Sequence, residues 1–297
     1  MNRPQPHPLA FPALLFGNLA LAFGPWLVRL ADVGAVAAGF WRLTLAVPFL
    51  WLVARGSGQM PHWPKRALVV IVAIAAIFYA LDLAAWNAGI RMTKLGNATL
   101  FGNSGSFVFA IYGLVIAGTL PSKKQTGALA LAVAGAVLLM SQSYELSAEN
   151  FRGDLLTLVA GFLYGGYLIF VERARARLQP LPLLLLVTLF SIPILWAISF
   201  GFGEQIWPHD WTPLVIFALS SQVVGQGLLV YSIGVFPPLV VGLALLTQPA
   251  ISALIGWLAY GETLSAADWA GALAIAVALV VVRLPERGLR SAAAQPS

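Results

Sequence analysis

Leu245–Val281 reads LLTQPAISALIGWLAYGETLSAADWAGALAIAVALVV, and this stretch determines the architecture of the chain. It contains two apolar runs, each long enough to cross a lipid bilayer, joined by the polar connector GETLSAAD. The first run carries Pro249 directly after the polar residues Thr247 and Gln248. The pattern predicts two membrane-spanning helices with a short polar turn between them.

The same pattern occurs earlier in the chain, from Leu100 to Val137. When the two stretches are aligned, Gly113 falls on Gly256, Gly118 falls on Gly261, and the polar connectors coincide. Matches of Ala, Leu and Val arise easily by chance in apolar sequences, whereas matched glycines and a matched connector do not. The chain is therefore predicted to be an internal duplication.

The composition excludes a soluble domain. Hydrophobic residues make up 60% of the 297 residues and charged residues only 9%, whereas a soluble domain has about 25% charged residues. The chain has no cysteine, which excludes disulfides and thiolate metal ligands. Prolines crowd residues 1–12 and a full-length apolar span follows, so the N-terminal segment does not have the form of a cleavable signal.

Ten apolar runs separated by polar breaks predict an all-α integral membrane protein with ten transmembrane helices. These helices form two five-helix units, residues 11–142 and 153–283, joined by a polar link at 143–152. Because five is an odd number, the second unit enters the membrane from the opposite side. Two inverted repeats around a central cavity are the usual architecture of a secondary transporter. The predicted spans are 11–29, 34–54, 67–90, 96–118, 124–142, 153–173, 181–200, 211–235, 238–260 and 265–283.

The positive charges predict the orientation of these spans. Twelve of the 17 Lys and Arg residues fall in segments on the side of the N-terminus, four fall on the other side, and Arg42 lies within a span. Positive charges collect on the cytoplasmic side of membrane proteins. Both termini are therefore predicted to be cytoplasmic, and the host membrane to be the cytoplasmic (inner) membrane of a bacterium. Because the basic residues occupy short loops, they indicate orientation rather than binding to nucleic acid.

Several runs of residues resemble a known family. Gly118–Leu120 (GTL) and Gly261–Ser265 (GETLS), each followed by a helix that contains Gly-Ala-Leu, are similar to the EamA repeat of the drug/metabolite transporter superfamily. Arg42 matches the arginine in the second helix of that repeat, and Gly153–Leu156 (GDLL) matches the start of its second copy. The resemblance covers most of residues 11–283. It implies ten helices and export of small metabolites, as in the YddG-type aromatic amino-acid exporters.

The chain departs from the repeat pattern in two places. Ser106 stands where the second half has Pro249, and the first connector has no glutamate opposite Glu262. The family handles many kinds of compound. The resemblance therefore implies a transporter of amphipathic metabolites such as amino acids, with a drug or other metabolite permease of the same fold as the alternative.

Arg42 and Asp82 are the ionisable residues that lie well inside predicted spans. A charge within the lipid core costs roughly 2.5–3.5 kcal/mol on insertion scales, so both side chains should face protein or water. With a rise of about 1.5 Å per residue, both should lie roughly 12 Å from the same membrane surface. They are predicted to form a charge pair. Its role is either structural, locking two helices together, or functional, in binding substrate or a proton.

Polar and aromatic side chains lie mid-span on several helices of both halves. Tyr79, Asp82 and Trp86 share one helical face, as do Gln222 and Gln226. Such groups either hydrogen-bond between helices or line an aqueous cavity. Their number favours a cavity bounded by the first, third, fourth, sixth, eighth and ninth helices, with aromatic walls for an ammonium and amides for a carboxylate. The predicted substrate-binding residues are Asn18, Tyr79, Asp82, Trp86, Asn103, Tyr164, Tyr167, Gln226 and Gln248.

Other classes of protein find less support in the sequence. His7, His62 and His209 all lie in terminal or loop segments, so they cannot form a metal site within the membrane. The sequence has no phosphate-binding loop, and nothing in it resembles the ring of carbonyls or charges of a channel. A membrane-embedded transferase is the alternative from another class. No cofactor is expected. The expected partners are a small-molecule substrate and the lipid bilayer, and a monomer is compatible with this architecture.

The charge count predicts that Lys123 and Arg175 face the cytoplasm and that Lys94 and Arg152 face outward. Because the natural chain has no cysteine, a single cysteine at each position can be labelled with a membrane-impermeant maleimide in intact cells. We expect labelling at the second pair only. Labelling of the first pair from outside would contradict the inverted-repeat topology.

Overall fold

Helices account for nearly all of the described chain. The computed structural model describes residues 7–59, 64–118, 122–140, 147–262 and 265–283. Within these ranges there is no β-strand, which agrees with the predicted all-α class. In chain order the helices are α1 (Ala10–Ala22), α2 (Gly24–Leu30), α3 (Ala35–Gly56), α4 (Arg66–Ile90), α5 (Leu95–Gly102), α6 (Ser104–Ala117), α7 (Lys123–Met140), α8 (Ala148–Arg175), α9 (Pro180–Gly201), α10 (Thr212–Phe217), a π-helix (Ala218–Gln226), α11 (Gly227–Ile233), α12 (Pro238–Leu245), α13 (Gln248–Tyr260) and α14 (Ala266–Arg283).

Eight helical segments of the described chain are long and apolar enough to cross a membrane. Four of them are α3, α4, α8 and α9. The others combine consecutive helices: α1 with α2, α5 with α6, α10 with the π-helix and α11, and α12 with α13. The protein is therefore a multi-pass membrane protein. The fifth and tenth predicted spans correspond to α7 and α14, of 18 residues each, and the count of ten spans stays a prediction.

Prolines explain two of the interruptions within spans. Pro25 lies in the first turn of α2, and Pro249 lies in the first turn of α13. Proline fits a first helical turn because the missing N–H has no acceptor there. Pro48 and Pro193, in contrast, lie inside α3 and α9, which continue through them.

Two further interruptions have no proline and were not predicted from the sequence. A turn at Asn103 separates α5 from α6. The eighth span changes from α-helix to π-helix over Ala218–Gln226. π-helical segments are rare and are frequent at functional sites, and this one carries Gln222 and Gln226.

Each span of the first half packs against a span of the second half. α4 packs on α8, α3 on α9, α7 on α14, and α1 on the π-helix and α11. α5 contacts α13 and α6 contacts α12, so these two interrupted spans run antiparallel. A two-fold axis between inverted repeats would produce this set of contacts, because exchanging the halves leaves it unchanged. The inverted repeat itself stays a prediction.

The two aligned connector glycines have the same backbone conformation. α6 ends at Gly118 with φ 61° and ψ 20°, and α13 ends at Gly261 with φ 62° and ψ 23°. Glycine adopts this left-handed conformation without the steric cost that a Cβ would add. The next residues of the two aligned connectors, 119–121 and 263–264, lie outside the described residues.

Glycines allow α6 and α8 to approach along their backbones. A Cβ added at Gly105 would meet the carbonyl oxygen of Gly161 and would lie 2.5 Å from the backbone nitrogen of Gly165. Small residues of this kind allow the close packing by which membrane helices associate. The contact holds α8 where it brings Tyr164 and Tyr167 to the centre of the bundle.

We expect Gly105→Ala to destabilise the protein by about 1–3 kcal/mol, the usual cost of overpacking a tight contact. Gly127→Ala is the matched control, because a Cβ at Gly127 meets nothing within 4 Å. Thermal unfolding of the two variants in detergent measures the difference. A Gly105→Ala variant that melts at or above the wild-type temperature would contradict the close contact.

Candidate functional site

The interruptions at Asn103 and at the start of α13 place two amides side by side. Asn103 Nδ2 donates to Gln248 Oε1 at 3.3 Å and to the carbonyl oxygen of Thr99 at 2.9 Å. Gln248 Nε2 donates in turn to Asn18 Oδ1 at 3.3 Å. These hydrogen bonds join α1, the turn between α5 and α6, and α13 through three buried amides.

A cavity lies between the two halves, beside these amides. About 440 Å³ within it is free of protein atoms, a volume that includes space open to the outside. Seven of the nine predicted binding residues line it, and α3 contributes to the wall in addition to the six predicted helices. The lining residues are Leu21, Arg42, Tyr79, Asp82, Leu83, Trp86, Gly102, Asn103, Tyr164, Gln226 and Gln248.

Asn18 and Tyr167, the other two predicted binding residues, lie behind the cavity wall. Asn18 is fully buried and reaches the cavity only through Gln248. The Tyr167 ring stacks on that of Tyr79, with centroids 4.5 Å apart, and on that of Tyr164 at 5.5 Å. Its hydroxyl donates to Gln226 Oε1 at 3.3 Å. Both residues therefore support the wall rather than form it.

Arg42 is held directly by residues of α4 and α10, and a chain of hydrogen bonds continues from α4 to the π-helix and α9. Its Nη2 donates to the hydroxyl oxygen of Tyr79 at 3.1 Å, and that hydroxyl donates to Gln222 Oε1 at 2.6 Å. Gln222 Nε2 donates to Thr188 Oγ1 at 3.0 Å. The guanidinium carbon lies 4.9 Å from the centre of the Phe217 ring, a cation–π distance. These contacts fix the orientation of the Arg42 guanidinium, which lies at the edge of the cavity.

The structure corrects the predicted charge pair of Arg42 and Asp82. Both residues line the same cavity, but within the described chain no ion pair of 4.0 Å or less joins them. Tyr79 lies one turn before Asp82 on α4. Its hydroxyl oxygen, rather than the Asp82 carboxyl group, accepts the hydrogen bond from the guanidinium. The two opposite charges are therefore neighbours in one wall rather than direct partners.

Some residues of the site had no signal in the sequence. Phe217 and Thr188 looked like ordinary residues of apolar helices, and only their contacts with Arg42 and Gln222 give them a role. Gly102 likewise carries no functional signal in the sequence. A Cβ at Gly102 would lie 2.6 Å from Nε1 of Trp86, so glycine makes room for that ring in the wall.

An ion pair and its hydrogen bonds connect several helix ends at one end of the bundle. Arg29 Nη1 lies 2.7 Å from Glu262 Oε1. Arg29 also donates to the carbonyl oxygens of Ile90 and Thr93, and Glu262 Oε2 accepts from the backbone N–H of Leu95 at 3.1 Å. These contacts connect the ends of α2 and α4 to the start of α5 and the end of α13. We call them the outer latch, because the charge count predicts this end to be outer.

The site has no visible metal-binding cluster. Within the described ranges, no group of three or more His, Cys, Asp or Glu residues could hold a metal ion. The chemistry available at the cavity is therefore that of one guanidinium, one carboxyl group, amides and aromatic rings.

Comparison with known proteins identifies a domain in the second half. Residues 151–284 match the EamA-like transporter family. An uncharacterized transporter of Archaeoglobus fulgidus is 25% identical over 203 residues, which cover 65% of this chain and 68% of the relative. A solved crystal structure with 15% sequence identity superposes on this chain with a TM-score of 0.70. The matched region covers 93% of this chain and 96% of the other protein, and the likeness concerns the fold alone. Together with the eight apolar helices, the family match supports a membrane transporter.

Proposed function

We propose that this protein is a secondary transporter that exports small amphipathic metabolites, amino acids first among them, by alternating access. The observation that carries the proposal is the cavity between the halves, whose wall combines Arg42 and Asp82 with amides and aromatic rings. An amphipathic metabolite needs apolar walls for its side chain and a few polar anchors for its charged ends. The direction of transport rests on the resemblance of the connectors to the EamA repeat.

The proposal includes ten spans in two inverted repeats, both termini in the cytoplasm and insertion in a cytoplasmic membrane. The antiparallel packing of the span α5–α6 against the span α12–α13 supports the inverted repeat. The equal conformations of Gly118 and Gly261 support the alignment on which the repeat is based. The excess of basic residues on the side of the N-terminus supports the orientation.

A drug or other metabolite permease with the same mechanism is the second candidate. It would use the aromatic part of the wall, formed by Trp86, Tyr79 and Tyr164. Arg42 and Asp82 favour amino acids, because a neutral drug would leave the Asp82 carboxyl group without a hydrogen bond among the described residues and would use none of the remaining donors of Arg42. The match to a transporter family supports a non-enzymatic role over a membrane-embedded transferase.

The outer latch supports alternating access. Arg29 and Glu262 are only 17% and 14% exposed, so their attraction is less screened than that of a surface pair. Four helix ends converge on these two side chains. We propose that these contacts close the cavity at this end, so that a small rocking movement of one half against the other opens it there.

We expect Trp86→Ala to lower the apparent affinity for a transported amino acid by about tenfold or more, because a buried aromatic contact contributes roughly 1.5–3 kcal/mol. Trp257→Ala is the matched control, since that ring is half exposed on α13. Uptake of labelled amino acids into proteoliposomes measures the effect. No uptake of any amino acid by the wild-type protein would overturn the proposed substrate class, and unchanged affinity in Trp86→Ala would place the site elsewhere.

We expect Glu262→Gln to weaken the outer latch and expose the cavity to the outside. A cysteine introduced as Asn103→Cys should then react with an impermeant maleimide in intact cells about tenfold faster, since hydrogen bonds to charged groups contribute about 1.5–3 kcal/mol. Glu149→Gln removes the same charge near the same end and is the control. Equal reaction rates in the two backgrounds would show that the latch does not limit opening.

A further inference from the structure

Two opposite charges share the wall of the cavity without forming an ion pair. Arg42 is 2% exposed and Asp82 is 6% exposed. A charge buried in a membrane protein costs several kcal/mol unless a partner compensates it. In the described part of the chain these two side chains do not compensate each other through a contact of 4.0 Å or less. The wall therefore holds a guanidinium and a carboxyl group that both have capacity for a further partner.

Arg42 has hydrogen-bond donors to spare. A guanidinium carries five N–H donors, and one of them, on Nη2, has an acceptor among the described residues. Phe217 covers the guanidinium face and Tyr79 fixes its edge, so the group is held in one orientation. A fixed guanidinium with free donors is suited to a carboxylate, which it can bind through two parallel hydrogen bonds.

Asp82 has the complementary properties. No hydrogen bond to its carboxyl group occurs within the described ranges, although the residue is more than nine-tenths buried and lines the cavity. Trp86 follows one turn later on α4, and Tyr164 lies in the wall contributed by α8. A carboxylate beside aromatic rings can bind an ammonium group by charge attraction and cation–π contact together.

We propose that Arg42 and Asp82 are the two anchors of a zwitterion site, in which the guanidinium binds a carboxylate and the carboxyl group binds the ammonium of the same molecule. This inference rests on the proposed transport function and specifies its substrate class as α-amino acids. An α-amino acid carries both charges on one carbon atom, so a single molecule can satisfy both wall charges. Its side chain then faces Leu21, Leu83 and the Trp86 ring, which favours an apolar or aromatic group.

A site of this kind selects for molecules that carry both an ammonium and a carboxylate group. An amine that lacks the carboxylate leaves Arg42 without its partner, and an acid that lacks the ammonium leaves Asp82 without its partner. A site with buried polar groups rejects an analogue that cannot pair with them more strongly than an apolar pocket rejects a change of shape. The amides of Gln226 and Gln248 then help to position the molecule rather than to carry its charge, which differs from the prediction made from the sequence.

Three compounds with the same ring test this inference: phenylalanine, 2-phenylethylamine, which lacks the carboxylate, and 3-phenylpropionate, which lacks the ammonium. Their binding to the purified full-length protein can be followed by tryptophan fluorescence in detergent, and their uptake by proteoliposomes. We expect the wild-type protein to prefer phenylalanine to each analogue by about tenfold or more. Arg42→Gln should remove the preference over 2-phenylethylamine, and Asp82→Asn should remove the preference over 3-phenylpropionate.

Arg55→Gln is the matched control for the arginine, because Arg55 lies at the end of the same helix and stacks on Trp51 outside the cavity. If Arg42→Gln does not fold, Arg42→Lys keeps the charge but loses the planar fork, and it should reduce the same preference in part. If both anchor variants weaken the binding of all three compounds equally, the assignment of Arg42 and Asp82 as anchors is wrong while the transport function stands. If the wild-type protein binds and transports none of the three but carries a neutral drug, the proposed amino-acid function itself is wrong.

Discussion

The constraint on which this structure depends is that polar groups inside an apolar helix bundle must find their partners within the protein. Arg42 lies within α3 as the eighth residue of that helix, where lipid offers no compensation. The hydrogen bonds from Arg42 through Tyr79 to Gln222 meet this requirement for one edge of the guanidinium and connect α3, α4 and the π-helix. Because a buried charge is costly to leave without partners, these contacts fix the relative positions of the helices that surround the cavity.

Close backbone packing around this polar centre allows the spans to be interrupted. The helix is interrupted at the single residue Asn103, and α8 lies against the first turn of α6 through Gly161 and Gly165. An interruption within a membrane is tolerated only where protein or a water-filled cavity surrounds it. Here it brings the amide of Asn103 to Gln248, which lies at the second interruption. The glycine contacts and the polar wall therefore depend on each other.

The two ends of the bundle differ in how they are held. The outer latch uses an ion pair between Arg29 and Glu262. At the other end Arg175, near the end of α8, donates to the backbone carbonyl oxygens of Val230 and Leu178. The first connector has no glutamate that corresponds to Glu262. For the alternating access that we propose, the two closed states must be close in energy, and this difference in sequence would be one means of setting their balance.

The sequence by itself determined the class of protein, the positions of the apolar helices and most of the residues that meet at the centre. Hydropathy was sufficient because a membrane helix must be apolar along its whole length, and polar side chains that fall mid-span must face inward. Only the tertiary structure decided which inward-facing groups touch. Whether Arg42 binds Asp82 or Tyr79 depends on differences of a few ångströms between helices, and these are set by glycine contacts, by the turn at Asn103 and by the π-helix. Such local departures from regular helix arise from packing between distant segments, which periodicity along the chain does not encode.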